Sequence, residues 1–254
     1  MGAILTADDA VRLAERVLAA RYPLADAALA AGSLVRGGAT ATSDLDLVVL
    51  FDALPNAYRE SFFFDGVPVD AFVHDRETLR AFFGKDVDAG KSAMLTMAIE
   101  GRIVGPRPGA AEAMKAEAKT LLASGPPPFD KAALELFRYG ITSRIEDLQD
   151  PRPWPEVLAT AAWLHLALAD FILRANGRWA ATGKWVPRAL DGFDPELAAA
   201  FDAAFADLFE RRDVGPLISF AEQALAPFGG RLFDGYRAEA KAEERIASPP
   251  SPST

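Results

Sequence analysis

The alternation of apolar and polar positions changes character near the middle of the chain. Residues 6–21 place Val11, Ala14, Val17 and Leu18 on one helical stripe, with Thr6 as cap and Asp8 and Asp9 in the first turn. Residues 27–31 are a run of small apolar residues suited to a strand or a helix end, and Gly32-Ser33 then turns the backbone into a short helix over 34–37. Residues 45–51 are apolar and β-branched enough for a buried strand. Residues 62–73 read as two strands joined at Asp65-Gly66, the strongest short-range hairpin signal. Helical patterns follow over 76–83 and 91–101, then a short strand at 102–104.

Two breaks punctuate what comes next, Gly105-Pro106-Arg107-Pro108-Gly109 and the stronger Gly125-Pro126-Pro127-Pro128. Between them 110–123 is an Ala/Lys/Glu helix with little apolar payload, which reads as a connector. Beyond the second break the period is helical throughout. Helices are expected over 129–148 and 155–175, a third opening at Asp194-Pro195, a fourth at Pro216, and a last one over about 231–246. The expected architecture is therefore α+β: a mixed sheet with flanking helices over 1–124, an all-α helical bundle over 125–247, and a disordered Pro/Ser tail over 248–254.

Composition narrows the function more than the fold. Of 254 residues half are apolar, so a sizeable core is available, and the formal charge of −9 argues against nucleic acid as a partner. There is no cysteine, which excludes disulfides, thiolate metal sites and a cysteine nucleophile. The first residues lack the basic-then-apolar pattern of a secretory signal, so the cytoplasm is the expected compartment. Residues 157–175 are apolar enough to be flagged as membrane-spanning, but His165, Asp170 and Arg174 interrupt them, and a buried bundle helix with no membrane partner is the expectation.

The candidate chemistry lies between residues 32 and 74. Asp44 and Asp46 are two apart at the start of a strand and project from one face, about 6.6 Å apart by the strand rise. At an effective dielectric of ~20 two unit charges at that distance repel by about 2.5 kcal/mol. Such a pair needs a proton or a cation, and hard oxygen ligands suit Mg²⁺ or Mn²⁺. Asp70, the one acid in an otherwise apolar strand, would complete a trio able to hold two divalent ions if its strand lies beside that of Asp46. Backbone N–H groups of the Gly32-Ser33 turn, with the Ser33 hydroxyl, form a donor site for phosphate oxygens. Arg36 adds a guanidinium fork, and Ser43, next to the acids, joins the candidate nucleotide-binding set.

Gly-Ser, ten residues, Asp-Leu-Asp, and a later lone Asp in a strand: this order resembles the nucleotidyltransferase superfamily of DNA polymerase beta, and within it the small bacterial enzymes that include the aminoglycoside nucleotidyltransferases. The resemblance covers roughly residues 25–105. It implies that Gly32 and Ser33 hold a triphosphate and that Asp44, Asp46 and Asp70 hold two Mg²⁺ ions, with Mn²⁺ an alternative. It further implies that ATP or another nucleoside triphosphate is the co-substrate, and that Lys184 and Arg188, from the loop expected over 176–188 with its two tryptophans, approach the nucleotide phosphates.

The expected activity is Mg²⁺-dependent transfer of a nucleoside monophosphate, AMP from ATP, to a hydroxyl of a small molecule or protein, with release of pyrophosphate. Asp70 is the first candidate for general base, with His74 and Glu100 behind it. Two other readings are an aminoglycoside-type resistance enzyme, whose polycationic substrate the acidic surface would attract, and a nucleotide-binding or antitoxin-like regulator without turnover.

Overall fold

The computed structural model describes residues 5–239. The chain divides into two units: one runs to Pro127 and also takes Gly177–Ala180, and the other holds Pro128–Asn176 and the chain from Ala181 onward.

The first unit opens with helix α1, Ala7–Arg21, whose start is fixed by a capping box in which Thr6 and Asp9 satisfy each other's backbone N–H groups. There follow strand β1 (Ala27–Ala31), the one-turn helix α2 (Ser33–Arg36), and strands β2 (Leu45–Leu50), β3 (Tyr58–Phe64) and β4 (Val67–His74). Helices α3 (Arg76–Asp88) and α4 (Ala93–Glu100), strand β5 (Arg102–Val104) and helix α5 (Gly109–Ala123) complete the unit. The sheet order is β3-β4-β2-β1-β5, and only the β2–β4 pair is parallel. The β3–β4 turn has both Asp65 (φ 49°) and Gly66 (φ 78°) in the left-handed region, as a tight hairpin requires.

The two faces of the sheet have separate cores. Leu45, Leu47, Val49, Val69, Ala71 and Val73 pack with α1. Val48 and Leu50, from the opposite face, pack with Leu79 and Phe83 of α3, Leu95 of α4 and Met114 of α5. Alternation along β2 therefore puts Asp46 on the second face, one step before Val48, and alternation along β4 puts Asp70 there one step before Phe72.

Two expectations in this unit are corrected. Strand β3 starts at Tyr58, earlier than residue 62, because its first half (Arg59, Glu60, Ser61) lies on the sheet's open edge and carries no apolar signal. The helix at 110–123 is no connector: Ala111, Met114 and Ala118 are fully buried against β1 and α4. Its alanines contribute little hydropathy but let the helix approach closely.

The second unit contains α6 (Lys131–Gln149), α7 (Trp154–Ala175), α8 (Val186–Phe193), α9 (Pro195–Arg211) and α10 (Gly215–Leu225). Helix α7 is long and apolar enough by composition to cross a membrane. Here Leu164, Leu168 and Phe171 are fully buried in the helical core with Ile141 and Ile145 of α6 and Phe201 of α9. His165 lies edge-on to Phe201 and Phe205, at 4.9 and 4.8 Å between centroids.

The stretch 176–188 is not one loop. Gly177–Ala180 belongs to the first unit, where the Trp179 indole N–H donates to the Leu122 carbonyl (3.0 Å). Gly183–Trp185 is a 3-10 turn leading directly into α8, which Pro187 helps open and which buries Val186 and Leu190. The helix expected from about residue 231 is absent over 231–239. Gly229 and Gly230 (φ 99° and 69°) end the preceding turn, and the Arg138 guanidinium takes both of their carbonyls (2.7 and 2.9 Å). Tyr236 then stacks on Tyr139 at 4.0 Å, which holds the segment along α6 in a non-helical course. The rest of that expected helix and the 248–254 tail lie outside the described residues.

Candidate functional site: an acidic cluster beside a glycine-serine turn

Strand β2 brings two of the acids and β4 the third. The parallel register pairs Asp46 directly with Asp70, and Ala31 of β1 pairs with Asp46 from the other side. Asp44 is exposed just ahead of β2, Asp46 half-buried and Asp70 buried. One carboxylate oxygen from each of Asp44, Asp46 and Asp70 lies within 4.8 Å of the others. Asp46 and Asp70 thus stand at the start of the apolar face that Val48 and Leu50 continue, with Asp44 just ahead of them.

The turn after β1 is built around Asp46. Gly32 has φ 82° and ψ −169°, a conformation essentially restricted to glycine, and a Cβ there would sit 2.0 Å from Asp46 Oδ2. The backbone thus passes directly over the carboxylate, and only glycine permits it. Ser33 opens α2, and its hydroxyl donates to Ser43 Oγ (3.0 Å), which also accepts from the Thr40 N–H (2.8 Å). These bonds tie the turn to the residue just before Asp44. The structure therefore gathers Gly32, Ser33, Ser43, Asp44, Asp46 and Asp70.

Arg36 lies on α2 and pairs with Glu100 (2.5 Å). Its charge also favours ionisation of Asp46. The acid and the arginine that sequence reading treated separately are thus an ion pair. His74 is not at the site. It pairs with Leu50 at the far end of the β2–β4 ladder and lies edge-on to Phe82 at 4.8 Å, and burial keeps its pKa low. Lys184 and Arg188 are exposed residues of the second unit, where the Arg188 guanidinium sits 4.7 Å above the Trp185 ring.

Two residues escaped the sequence reading. The Arg59 guanidinium grips Asp70 with both arms, Nε donating to Oδ1 (2.8 Å) and Nη2 to Oδ2, and the Ser61 hydroxyl donates to Oδ1 (3.1 Å). A signal was available. A two-residue turn at Asp65-Gly66 fixes the hairpin register, which sets Ser61 opposite Asp70 and Arg59 opposite Phe72.

The three acids have different electrostatic fates. Burial, then the charges of Asp44 and Asp70, push Asp46 up to about 6 despite the nearby Arg36 and Arg59. The hydrogen bonds from Arg59 hold Asp70 below the usual carboxylate range, against the opposing effect of its burial, and the Ser61 hydroxyl helps. The positive charge that Arg36 and Arg59 bring to this half-buried carboxylate is thus too little to offset its burial and its two acidic neighbours. Three hard oxygen donors within reach of one point supply the matching ligand set, so the residues present fit a divalent cation.

Residues 11–93 match the family described as the nucleotidyltransferase domain. Among solved structures the chain is similar to a nucleotidyltransferase-like protein from Exiguobacterium sibiricum 255-15, at 15% identity, with 85% of this chain and 74% of that one covered and a TM-score of 0.44. No curated protein matches the chain.

Proposed function

We propose that this chain, whose residues 11–93 form a nucleotidyltransferase domain, catalyses divalent-metal-dependent transfer of a nucleoside monophosphate from a nucleoside triphosphate, ATP first, to a hydroxyl of a small molecule or protein, releasing pyrophosphate. The observation that carries the reading is the convergence of Asp44, Asp46 and Asp70 beside the Gly32-Ser33 turn.

Each part of the site has a role the chemistry requires. Asp44, Asp46 and Asp70 would hold two Mg²⁺ or Mn²⁺ ions. When bound, such ions neutralise the triphosphate and acidify an acceptor hydroxyl. The backbone N–H groups of the turn donate to phosphate oxygens, and the Ser33 hydroxyl, which donates to Ser43 in the free site, joins them by turning its one proton to the phosphate. Arg36, already balanced by Glu100, adds positive charge on the same side. Asp70 accepts the hydroxyl proton once its bonds to Arg59 loosen.

The test is incubation with α-labelled nucleoside triphosphates, Mg²⁺ or Mn²⁺, and a panel of acceptors: aminoglycosides, lincosamides, the protein itself and a cell lysate. Label moved to any acceptor, and lost in Asp46→Asn, supports transfer, and the labelled species identifies the acceptor class. Saturable nucleotide binding with no label transferred would replace the enzyme with a nucleotide-binding regulator.

A further inference from the structure

The Arg59–Asp70 pair conflicts with metal binding, and the conflict is informative. Arg59 and Ser61 between them engage both oxygens of Asp70, yet Asp70 is one of the three acids that converge as ligands. A cation held by the trio must share an Asp70 oxygen with these donors and, being positive itself, competes with the guanidinium for that carboxylate, which weakens the fork's hold. An arm loosened in this way would not leave the area. The Arg59 guanidinium also lies 4.7 Å above the Phe72 ring, its cross-strand partner, and that contact does not depend on Asp70.

What surrounds the arm is a cleft of about 340 Å³ on the β3–β4 edge, lined by Arg59, Ser61, Phe63 and Pro68 and bounded by Asp44 and Asp70. Arg59 is the only cation among the described residues that line it. Phe63 is 77% exposed there and offers a ring face to a ligand. A planar guanidinium matches a carboxylate, an exposed ring and a proline match a flat apolar group, and the acids lie within one small molecule's reach.

We propose that Arg59 is an acceptor-binding residue held in reserve on Asp70: a divalent cation displaces it, and it then anchors the carboxylate of an aromatic hydroxy acid whose hydroxyl points to the acidic trio. The proposal rests on the transfer reading and identifies the acceptor as an anion, not a polycation.

Two measurements on the full chain test it. Free Mn²⁺ counted by electron paramagnetic resonance should show Arg59→Met binding the ion about fivefold more tightly than wild type, a modest gain because the Arg59 side chain is 62% exposed and the pair is screened. Ligand-observed NMR with Mg²⁺ and a non-hydrolysable ATP analogue should show 4-hydroxyphenylacetate binding about tenfold more tightly than tyramine, the same phenol with the opposite charge, and Arg59→Met should erase the difference. Equal or weaker Mn²⁺ binding by the variant overturns the displacement. Tyramine binding as well as the acid, neither probe binding, or a preference that survives the substitution overturns the subsite. If wild type takes no Mn²⁺ at all, the transfer reading itself fails and this proposal falls with it, an outcome distinct from the other three.

Discussion

Asp46 and Asp70 are direct partners across the parallel β2–β4 ladder, yet the fold treats their charges in opposite ways. Asp46 is half-buried with acids on either side, and its pKa rises to about 6. Asp70 is more buried but held by Arg59 and Ser61, and its pKa falls. Arg59 bonds directly to Asp70, whereas Asp46 feels Arg36 and Arg59 only through space, too weakly to offset burial and the neighbouring acids.

The asymmetry predicts stability changes of opposite sign. Asp46, with a folded pKa above the unfolded value, contributes stability that is fully present below about pH 3.9 and lost as pH rises through about 6. Metal-free Asp46→Asn should therefore melt higher than wild type at pH 7.5, by of order 1 kcal/mol after allowance for solvent screening, with the gap closing near pH 4. Asp70, with a depressed pKa, stabilises above the unfolded value and loses that contribution as pH falls. Asp70→Asn should melt lower at pH 7.5, by roughly 1 kcal/mol. Thermal unfolding in EDTA at both pH values checks the pair, and two shifts of the same sign would contradict the electrostatic account.

Metal binding inherits the Asp46 titration. A protonated ligand must release its proton to bind, so apparent affinity falls as pH drops below about 6. Mn²⁺ should bind about tenfold more weakly at pH 5 than at pH 7.5, as calorimetry would read it. At pH 7.5 saturating metal should raise the melting temperature, by the equivalent of about 2.7 kcal/mol at one hundred times Kd. Affinity that stays flat over this range would remove Asp46 from the ligand set.

Gly32 should be intolerant of a single methyl group. Gly32→Ala pairs a Gly-only backbone conformation with a Cβ 2.0 Å from Asp46 Oδ2, so either the turn or the carboxylate must move. A loss of about 1–3 kcal/mol and at least a tenfold fall in Mn²⁺ affinity are expected. Gly37→Ala is the control: its φ is also 82°, but nothing lies within 4 Å of the added Cβ. It should cost about 1 kcal/mol of backbone strain and leave metal affinity near wild type. Equal effects on affinity would mean that the approach over Asp46 is irrelevant to the site.

Much of the site was legible because its parts are local. A glycine-serine turn, two acids two residues apart and a hairpin turn each announce themselves within a few positions, and strand alternation fixes which face each side chain takes. The pairing of Asp46 with Asp70 was a conditional inference, since the chain visits β3 first. The composition of the hairpin decides it. Strand β4 is apolar on both faces and belongs in the middle of the sheet, whereas β3, with Arg59, Glu60 and Ser61, belongs at the edge. Arg59 was missed because a cation on an edge strand is normally solvated, and only the hairpin register shows what it meets. The false helix at 231–239 has another cause. Its composition is permissive, but long-range contacts with Arg138 and Tyr139, some 90 residues away in sequence, decide its course.

The reassignment of α5 from connector to core carries the last prediction. Met114 is fully buried beside Leu29 of β1 and Leu95 of α4, on the sheet face that ends in the acids. If α5 only spanned two units, truncating Met114 would cost a few tenths of a kcal/mol, the usual effect of a surface change. As a core residue its side chain fills space that the surrounding strand and helices cannot close, and Met114→Ala should cost about 2–4 kcal/mol. Because β1 leads directly into the Gly32 turn, loosening behind it should also weaken Mn²⁺ binding, although no acid is altered. Urea unfolding followed through Trp179, which bonds to the Leu122 carbonyl of α5, would read the first effect in the unit concerned. A change below about 0.5 kcal/mol would return α5 to the role of a linker and leave β1 supported from its other face alone.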